Sequence, residues 1–457
     1  MSRLLISAAH KSSGKTTVTI GLCAALAARG LIVQPFKKGP DYIDPMWLGR
    51  AAGRPCHNLD FHCMTHAEIL TAVGHYSADA DIAVIEGNKG LYDGLDLDGS
   101  NSNAALATLT QTPVVLVLDA RGMTRGIAPL ILGYQAFDPR VSIAGVILNQ
   151  LGGSRHEAKL RAVIEHYTDL TVLGGVHRDA ELEIVERHLG LMPSNEDNAA
   201  HVKIDRISRL IAAQVDLDRL LAVAGNTPLA FDPVPPAQAG GDTVRIGIAR
   251  DAAFGFYYPD DLAALQRAGA ELIPIDTLRD AQLPNIDGLF IGGGFPESRM
   301  QELQANSALR TGIRDAIANG MPVYAECGGL MYLARSLSWK GIRCDMVGAI
   351  PGDVVMHERP QGRGYVRLRE TGQAPWPAPH PDGVIAAHEF HYSSLENVPP
   401  GLDYAYEVVR GTGIDSRHDG LILNNLVACY SHMRDTGQHH WARRFVGFVR
   451  ATRGHGK

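Results

Sequence analysis

The sequence predicts an α/β protein of two domains, each built around a sheet covered by helices. Short, continuously apolar runs alternate with amphipathic stretches in both halves, and a segment rich in Pro, Gly and Ala separates the halves. Runs that are apolar throughout indicate parallel strands buried on both faces. A chain of 457 residues, of which 45% are hydrophobic, has enough apolar material for more than one core.

The first half begins with a strand run, RLLISAA, followed by a helical stretch, KTTVTIGLCAALAARG. Further apolar runs then recur at short intervals, and the pattern weakens after about Leu191. Because they are bounded by turn residues and carry no polar alternation, we interpret them as further buried strands. These runs are IVQPFK, DIAVIEG, PVVLVLDA, RGIAPLILGYQAF and SIAGVILNQ.

The separating segment, GNTPLAFDPVPPAQAGGD, has neither helical nor strand periodicity, and we interpret it as an interdomain linker. Strands and helices restart after it with TVRIGIARD, DDLAALQRAGAELIPID and IDGLFIGGGFPE, and the tail from about Val347 is richer in short extended segments. We therefore predict one domain over 1–225, a linker over 226–242 and a second domain over 243–450.

Composition argues against several classes of partner. The net charge of −6 gives no reason to expect nucleic acid or an anionic membrane surface. No apolar run approaches the ~20 residues of a membrane helix, and the N-terminal run is too short for a signal peptide. Six cysteines without CxxC or metal-site spacing favour reduced thiols, so we expect a cytoplasmic protein.

A phosphate-binding loop is predicted at AAHKSSGKTT, between the first strand and the first helix. Backbone N–H groups of such a loop cradle phosphate, the lysine reaches the β- and γ-phosphates, and the hydroxyl ligates Mg²⁺. Ala9 replaces the first glycine of the usual pattern, but the order of strand, loop and helix disfavours a chance match. The predicted nucleotide-binding residues are Ser12, Ser13, Gly14, Lys15, Thr16 and Thr17.

Acidic residues follow two further strand runs, in KKGPDYIDP and AVIEGNKGLYDG. Glu86 ends its run, where a metal ligand or a water-orienting acid would lie, while Asp41, Asp44 and Asp93 fall in nearby loops. Ligands of open α/β sheets bind at the carboxyl edge of the strands. One aspartate alone would more often be a turn residue, but four acids beside a phosphate loop indicate a site.

A second site is predicted in PVYAECGGLMYL, where Cys327 stands between a strand run and a helical stretch. A sharp strand-to-helix turn exposes a nucleophile, and the following glycines leave room for substrate. Backbone N–H groups of Gly293, Gly294 and Gly328 are candidates for an oxyanion hole. His432, at the end of a late apolar run, is the candidate base, and HEFHYSS adds His388 and His391.

The competing interpretation is that Cys327 is a small buried core residue, the commonest fate of a free cysteine. We accept that interpretation for Cys23, Cys56, Cys344 and Cys429. Cys63 lies between His62 and His66, but one thiol and two imidazoles are too few for a metal site. At Cys327 the neighbouring glutamate and two glycines favour catalysis.

These motifs resemble the cobyrinic acid a,c-diamide synthase family, which comprises glutamine-dependent tetrapyrrole amidotransferases. The resemblance covers nearly the whole chain, in the same order. It rests on SSGKTT, QPFKKGPDYIDP, IEGNKGLYDG, FYYPDDLAALQRAGAEL, IGGGFPE, YAECGGLMYL, HEFHYS and CYSHM. It implies an N-terminal P-loop domain with a parallel sheet, like that of dethiobiotin synthetase. It also implies a C-terminal class I (triad) glutamine amidotransferase domain with a flavodoxin-like fold.

The resemblance assigns Cys327 as the glutaminase nucleophile and His432 as its base. It assigns Lys15, Thr16 and Glu86 to ATP and Mg²⁺. The motif does not identify the third triad member, for which Glu389 is a candidate. Four residues match positions where the family handles carboxylate activation and ammonia transfer, namely Asp41, Tyr42, Asp44 and Asp93.

The implied reaction is ATP- and glutamine-dependent amidation of the a- and c-acetates of cobyrinate or hydrogenobyrinate through acyl phosphates, in cobalamin biosynthesis. The chain departs from the family pattern at Asn88-Lys89, Ser102-Asn103 and His10-Lys11. These departures lie at the synthetase site and concern which tetrapyrrole accepts the amide. The alternative acceptor is therefore sirohaem or another sirohydrochlorin-derived tetrapyrrole. A partner-regulated P-loop ATPase is the alternative of another class, but it would have no use for a nucleophilic cysteine. The resemblance alone suggests a homodimer.

Overall fold

The computed structural model describes residues 2–179, 186–187, 190–197, 199–233, 241–376, 383–437 and 439–454. The chain divides into two compact units, Met1–Val234 and Pro235–Lys457, called here the first and second units. Both are α/β, as predicted. In the ranges that the structure describes, we find no helix with the length and apolar character needed to cross a membrane.

The first unit alternates strands and helices along the chain. Its strands are β1 (Ser2–Ala8), β2 (Val33–Lys38), β3 (His57–Leu59), β4 (Ile82–Glu86), β5 (Val114–Asp119), β6 (Ile143–Leu151), β7 (Val172–His177), β8 (Glu186–Arg187) and β9 (Gly190–Leu191). Its helices are α1 (Lys15–Ala28), α2 (Ile43–Ala52), α3 (His66–Tyr76), α4 (Asn103–Leu109), α5 (Ile127–Phe137), α6 (Ser154–Tyr167), α7 (Ala200–Gln214) and α8 (Leu217–Ala222).

The first seven strands form one parallel sheet in the order β3-β2-β4-β1-β5-β6-β7. The central strand β1 is buried almost throughout, which explains its continuously apolar sequence. Because all seven strands run the same way, the segments that follow β1, β2 and β4 meet at one edge of the sheet. This edge positions the phosphate loop and the predicted acids.

One predicted strand is wrong, because the run RGIAPLILGYQAF forms helix α5. Its buried residues Ile127, Ala128 and Ile131 follow helical spacing. The helix has 11 residues, longer than the ~5–6 of a typical strand, and Pro129 lies in its first turn, where a missing N–H breaks no helical hydrogen bond. A uniformly apolar run does not by itself distinguish the two structures.

The first part of the predicted linker contacts the first unit. Gly225 exchanges two backbone hydrogen bonds with Arg3, which also donates from its guanidinium to the carbonyl of Thr227. Farther on, the ring of Phe231 packs against Gly74. Residues 234–240 lie outside the described ranges, and the domain bounds stay a prediction.

The second unit begins as an α/β fold and ends in antiparallel strands. Its strands are β10 (Val244–Ala249), β11 (Phe254–Phe256), β12 (Ala270–Ile275), β13 (Gly288–Ile291), β14 (Gly293–Gly294), β15 (Val323–Glu326), β16 (Ala334–Trp339), β17 (Ile342–Asp345), β18 (Ile350–Met356), β19 (Gly362–Glu370), β20 (Val384–His391), β21 (Ser393–Glu396), β22 (Asp403–Arg410), β23 (His418–Leu423) and β24 (Leu426–Cys429). Its helices are α9 (Pro259–Arg267), α10 (Met300–Ala305), α11 (Ser307–Ala318), α12 (Gly328–Leu333) and α13 (Trp441–Gly454).

Nine of these strands form a mixed sheet in the order β12-β10-β13-β15-β24-β23-β22-β19-β20. The part from β12 to β24 is parallel, and β23 to β20 extend it in antiparallel fashion. Strand β15 is central and wholly buried, between β13 and β24. The residues that follow these three strands therefore meet at one edge, where the predicted thiol site lies.

Candidate active sites

The phosphate loop turns sharply between β1 and α1. Ser12 and Gly14 have positive φ angles of 61° and 77°. Gly14 is required for space as well as conformation, because a Cβ there would lie 2.2 Å from the Asn149 side-chain nitrogen. That nitrogen donates to the Ser13 carbonyl at 2.8 Å, while the Ser13 hydroxyl donates to the His10 carbonyl at 2.8 Å. The loop is thus held from β6 and from within itself.

The first turn of α1 brings its side chains to the predicted acids. The Thr16 hydroxyl donates to Glu86 at 2.6 Å, with Asp44 at 3.3 Å. The Lys15 ammonium lies 3.7 Å from Glu86, and burial lowers the pKa of Lys15. Thr17 follows on the same turn and is half-buried. The structure therefore groups Lys15, Thr16, Asp44 and Glu86 at one sheet edge.

Lys37 completes this group, and the sequence analysis did not select it. Its ammonium lies 2.5 Å from Asp44, 3.1 Å from Glu86 and 3.8 Å from Asp41. Burial alone would lower the pKa of Lys37, but the three carboxylates outweigh it and raise the pKa. The available signal was a lysine within the buried strand run QPFKK.

The carboxylates around Lys37 titrate differently. Burial and the neighbouring Asp44 raise the pKa of Asp41 to about 7. Burial would also raise the pKa of Asp44, but the contact with Lys37 lowers it below its ordinary value. Asp41 also accepts the backbone N–H of Ile43 and of Asp44, at 2.9 and 3.1 Å, from the position before the N-cap residue Tyr42, and so satisfies two N–H groups at the start of α2. Tyr42 is buried beside it.

Glu86 is fully buried, and its second oxygen, Oε2, has no hydrogen-bond partner. A buried carboxylate oxygen without a partner is costly unless another group contacts it. Within the described ranges, no group of three or more His, Cys, Asp and Glu side chains could hold a metal ion by itself. The oxygens of Glu86, Asp44 and Thr16 nevertheless suit Mg²⁺, which takes few protein ligands and completes its shell with water and phosphate.

Asp93 lies in the loop after β4, and its carboxylate and the Ala9 carbonyl both lie within 3 Å of where a Cβ on Gly90 would be. Asp93 is exposed and accepts the Gly90 N–H at 2.9 Å, within its own turn. Asn103 is fully buried, and its amide bonds to Ser7 and to the backbone of Asn88 and Gly90. Asn103 therefore positions the loop. Lys89 is exposed, with a φ of 42°.

In the second unit, Cys327 occupies the predicted strand-to-helix turn between β15 and α12. Its φ of 47° and ψ of −101° are unusual for a non-glycine residue, and its N–H donates to the Cys429 carbonyl at 2.7 Å. His432 lies three residues beyond β24, and the Cys327 thiol beside it contributes to raising the pKa of its imidazole. The structure therefore brings together the predicted nucleophile and its predicted base.

The predicted glycines surround this pair. A Cβ on Gly293 would lie 2.7 Å from the His432 ring, and one on Gly328 would lie 2.9 Å from the Gly294 nitrogen. Side chains larger than hydrogen are therefore excluded at both positions. The backbone N–H groups of these glycines remain the predicted candidates for an oxyanion hole.

Glu326 is a second residue to which the sequence analysis gave no role, although it noted a glutamate beside Cys327. Its Oε2 lies 3.3 Å from Nδ1 of His432, and its Oε1 accepts the Tyr324 hydroxyl at 2.6 Å and the Met433 N–H at 2.9 Å. Burial alone would lower the pKa of His432, but the contacts with Cys327 and Glu326 outweigh it and raise the pKa to about 10. The signal in the sequence was the position of Glu326 immediately before Cys327, the predicted nucleophile.

The other candidates in HEFHYSS lie around the pair in different ways. Glu389, the candidate third member, accepts the backbone N–H of Thr412 and of Gly413 at 2.7 and 2.8 Å and lies 3.7 Å from His391. The His388 ring stacks on His432 with 4.9 Å between the ring centres. The structure thus pairs Glu389 with His391, while Glu326 pairs with His432.

Comparison with known proteins agrees with both halves of this description. The family model of the CobQ/CobB/MinD/ParA nucleotide binding domain matches residues 5–191, and that of the CobB/CobQ-like glutamine amidotransferase domain matches residues 245–437. The solved structure of PurLQS from Thermotoga maritima aligns with 46% of this chain and 99% of that one. That alignment has 15% identity and a TM-score of 0.36, a likeness too weak to support an assignment.

Full-length relatives give the assignment. A cobyrinate a,c-diamide synthase of Magnetococcus marinus is 48% identical over 455 residues, which cover 98% of this chain and 97% of that protein. One of Methanosarcina acetivorans is 42% identical, over 99% of this chain and 96% of that protein. One of Archaeoglobus fulgidus is 40% identical, over 97% and 96%. The chain therefore belongs to the cobyrinate a,c-diamide synthase family.

Proposed function

We propose that this enzyme amidates the a- and c-acetate groups of cobyrinate, or of hydrogenobyrinate, in cobalamin biosynthesis, with ATP and glutamine as co-substrates. The observation that carries the proposal is the presence of two different reactive groups on one chain. The first unit has a phosphate loop whose Thr16 hydroxyl meets Glu86 and Asp44, and the second has a thiol beside a buried imidazole. Phosphoryl transfer and ammonia release are the two half-reactions that such an amidation needs.

In the first half-reaction, an acetate oxygen attacks the γ-phosphorus of ATP, so that an acyl phosphate forms and ADP leaves. The loop formed by Ser12, Ser13, Gly14 and Lys15 binds the phosphates. The Lys15 and Lys37 ammonium groups offset the negative charge that the carboxylate and the phosphates bring together. Asp41, Tyr42 and Asp93 belong to the segments that would surround the acetate.

Magnesium fits the acidic edge of this site. Thr16, Glu86 and Asp44 would hold the ion, and the partnerless Oε2 of Glu86 supplies an oxygen for it. When bound, Mg²⁺ neutralises phosphate charge during transfer. The Lys37 ammonium already contacts both carboxylates, Asp44 at 2.5 Å and Glu86 at 3.1 Å, and so offsets part of the negative charge at this edge.

In the second half-reaction, the Cys327 thiolate attacks the carboxamide carbon of glutamine. His432 then donates a proton to the departing nitrogen, ammonia leaves, and a glutamyl thioester remains that water hydrolyses to glutamate. N–H groups of Gly293, Gly294 and Gly328 would stabilise the oxyanion. Ammonia attacks the acyl phosphate and displaces phosphate, which yields the amide. Water must be kept from the acyl phosphate, or it hydrolyses.

The test is incubation of the protein with ATP, glutamine and one of several tetrapyrroles, followed by mass measurement of the products. Cobyrinate and hydrogenobyrinate should gain two amide groups, each with a mass decrease of about 1 Da. Lys15→Ala should abolish product formation with glutamine or with ammonia, because phosphoryl transfer depends on this charge. Amidation of sirohaem alone would replace the proposed acceptor, and nucleotide hydrolysis without glutaminase activity would indicate a partner-regulated ATPase.

A further inference from the structure

We infer that Glu326 is the residue that orients the His432 imidazole, so that the carboxylate of this glutaminase comes from the position immediately before the nucleophile. The inference rests on the proposed glutaminase role of Cys327 and His432 and adds a positioning residue to it. Neither the family match nor the sequence motifs assign this role.

The geometry of Glu326 carries the inference. Glu326 ends β15 and is paired in register with Cys429 at the end of β24, so it lies beside the chain that leads to His432. One carboxylate oxygen, Oε1, accepts the Tyr324 hydroxyl and the Met433 N–H, which leaves Oε2 to face Nδ1 of His432 at 3.3 Å. The Glu326 carboxylate is therefore held in place by contacts that do not involve the imidazole.

Tyr324 in turn has little freedom to move. Its ring is fully buried and contacts the rings of Phe290, Trp376 and Trp441, with centres 5.0 to 5.3 Å away. Aromatic rings packed in this way stay in one orientation, so the hydroxyl stays directed at Glu326. The support for His432 thus extends from the thiol site into the core of the second unit.

Other acidic groups nearby are engaged elsewhere. Glu389 accepts two backbone N–H groups and faces His391. Asp419 accepts the N–H groups of Gly420, Tyr430 and Ser431. The residue two positions after His432 is not an acid but Arg434, which forms an ion pair with Asp260 at 2.6 Å. Glu326, by contrast, forms an ion pair with His432, with 3.3 Å between Oε2 and Nδ1.

The chemical consequence concerns the tautomer of His432. An Nδ1–H that donates to Glu326 leaves Nε2 free to take the thiol proton, and the same carboxylate stabilises the imidazolium that results. The raised pKa of His432 agrees with this arrangement. The groups facing the ring are Glu326, the Cys327 thiol and the stacked His388, which itself contacts the Tyr258 hydroxyl.

The test compares Glu326→Gln with Glu389→Gln in the full chain. Each variant replaces a buried carboxylate that accepts backbone N–H groups, but only the first carboxylate faces His432. We expect Glu326→Gln to lower kcat/KM for glutamine hydrolysis by about 10²–10⁴-fold, as loss of an orienting carboxylate does in other triads. Glu389→Gln should stay within about threefold, because that carboxylate contacts the Thr412 and Gly413 N–H groups and His391 rather than His432.

Two further readouts separate positioning from general damage. Ammonia-dependent amidation should be unchanged in Glu326→Gln, because that reaction does not use the thiol. The rate of Cys327 alkylation by iodoacetamide, corrected with Cys327→Ala, should reach its half-maximum at higher pH in Glu326→Gln than in wild type, because the imidazolium that pairs with the thiolate is less stabilised.

Where Glu326→Gln does not fold, Glu326→Asp and Tyr324→Phe serve instead. The first keeps the charge and should retain part of the glutaminase activity, and the second removes one donor to the carboxylate and should shift the alkylation curve in the same direction. The inference is overturned if these variants hydrolyse glutamine as fast as wild type and the pH dependence of Cys327 alkylation does not change. It is also overturned if Glu389→Gln loses as much glutaminase activity as Glu326→Gln. Absence of glutaminase activity in the wild type would instead overturn the proposed function.

Discussion

The Thr16 hydroxyl donates a 2.6 Å hydrogen bond to Glu86, a residue 70 positions away that ends β4. The bond exists because β1 and β4 are parallel neighbours, so that the helix that follows one and the last residue of the other reach the same edge. The bond joins Glu86 to the first turn of the helix that follows the phosphate loop. Asp44 reaches the same hydroxyl from α2.

Replacing Glu86 with Gln should abolish phosphoryl transfer while leaving glutaminase activity intact. The substitution keeps the volume but removes the charge that Mg²⁺ and Lys37 require. We expect amidation with glutamine and with ammonia to fall at least ~100-fold, a typical effect of losing a metal-binding carboxylate. Asp138→Asn, which changes a half-buried carboxylate paired with Arg140 in the same unit, is the control. Normal ammonia-dependent amidation in Glu86→Gln would contradict the assignment.

Replacing Lys37 with Met should destabilise the first unit, because Asp44 and Glu86 would lose the cation between them. Breaking a buried ion pair on one side costs about 3–5 kcal/mol. The adjacent Lys38 is the matched control: burial lowers its pKa to about 8, and its ammonium donates to the side-chain Oδ1 of Asn88 at 3.2 Å. Chemical unfolding should show a larger loss of stability for Lys37→Met than for Lys38→Met, and Mg²⁺ should restore part of it. Equal losses would mean that Lys37 has no special role.

Replacing Cys327 with Ala should abolish glutamine-dependent amidation and spare ammonia-dependent amidation. The thiol acts only in ammonia release, so externally supplied ammonia makes it unnecessary. Product formation with each nitrogen donor, at matched ATP and tetrapyrrole, measures the effect, and Cys344→Ala, another buried thiol in the same unit, is the control. A parallel loss with both donors would refute the division of labour between the units.

The stability contributed by His432 should depend on pH in a defined direction. Contacts with Cys327 and Glu326, against the effect of burial, raise its pKa to about 10 in the folded chain, above the ~6.5 of an unfolded chain. The contribution is therefore complete below about pH 6.5 and is lost as the pH rises toward 10. The difference in Tm between wild type and His432→Gln should shrink over that window. The titration of all other groups affects both proteins alike and so cancels in the difference. A difference that stays constant or grows would contradict the ion pair.

Lys89→Met tests whether the loop after β4 influences the choice of tetrapyrrole. Lys89 is exposed, so its ammonium can pair with a free acetate or propionate of a ring without disturbing the fold. We expect the substitution to shift the ratio of kcat/KM values between a cobyrinate-type and a sirohaem-type ring. Lys159→Met, an exposed lysine on α6, is the control. An unmoved ratio would mean that the departure at Lys89 says nothing about the substrate.

The sequence alone determined the structural features that depend on only a few consecutive residues. The phosphate loop is one, because a strand, a glycine with a positive φ and a helix start follow each other within AAHKSSGKTT. The strand-to-helix turn at Cys327 is another, since a short apolar run, a thiol and two glycines dictate it locally. The roles proposed for these residues await the experiments above.

Tertiary structure decided which of several similar residues meet. Lys37 and Lys38 are neighbours in one strand, but successive side chains of a strand point to opposite faces, so only Lys37 meets Asp44 and Glu86. Likewise Glu326 and Glu389 are both buried carboxylates, and the order of strands in the sheet, which depends on long-range packing, brings Glu326 to His432. Local sequence encodes turns and periodicity, whereas strand order and side-chain pairing arise only when distant segments pack together.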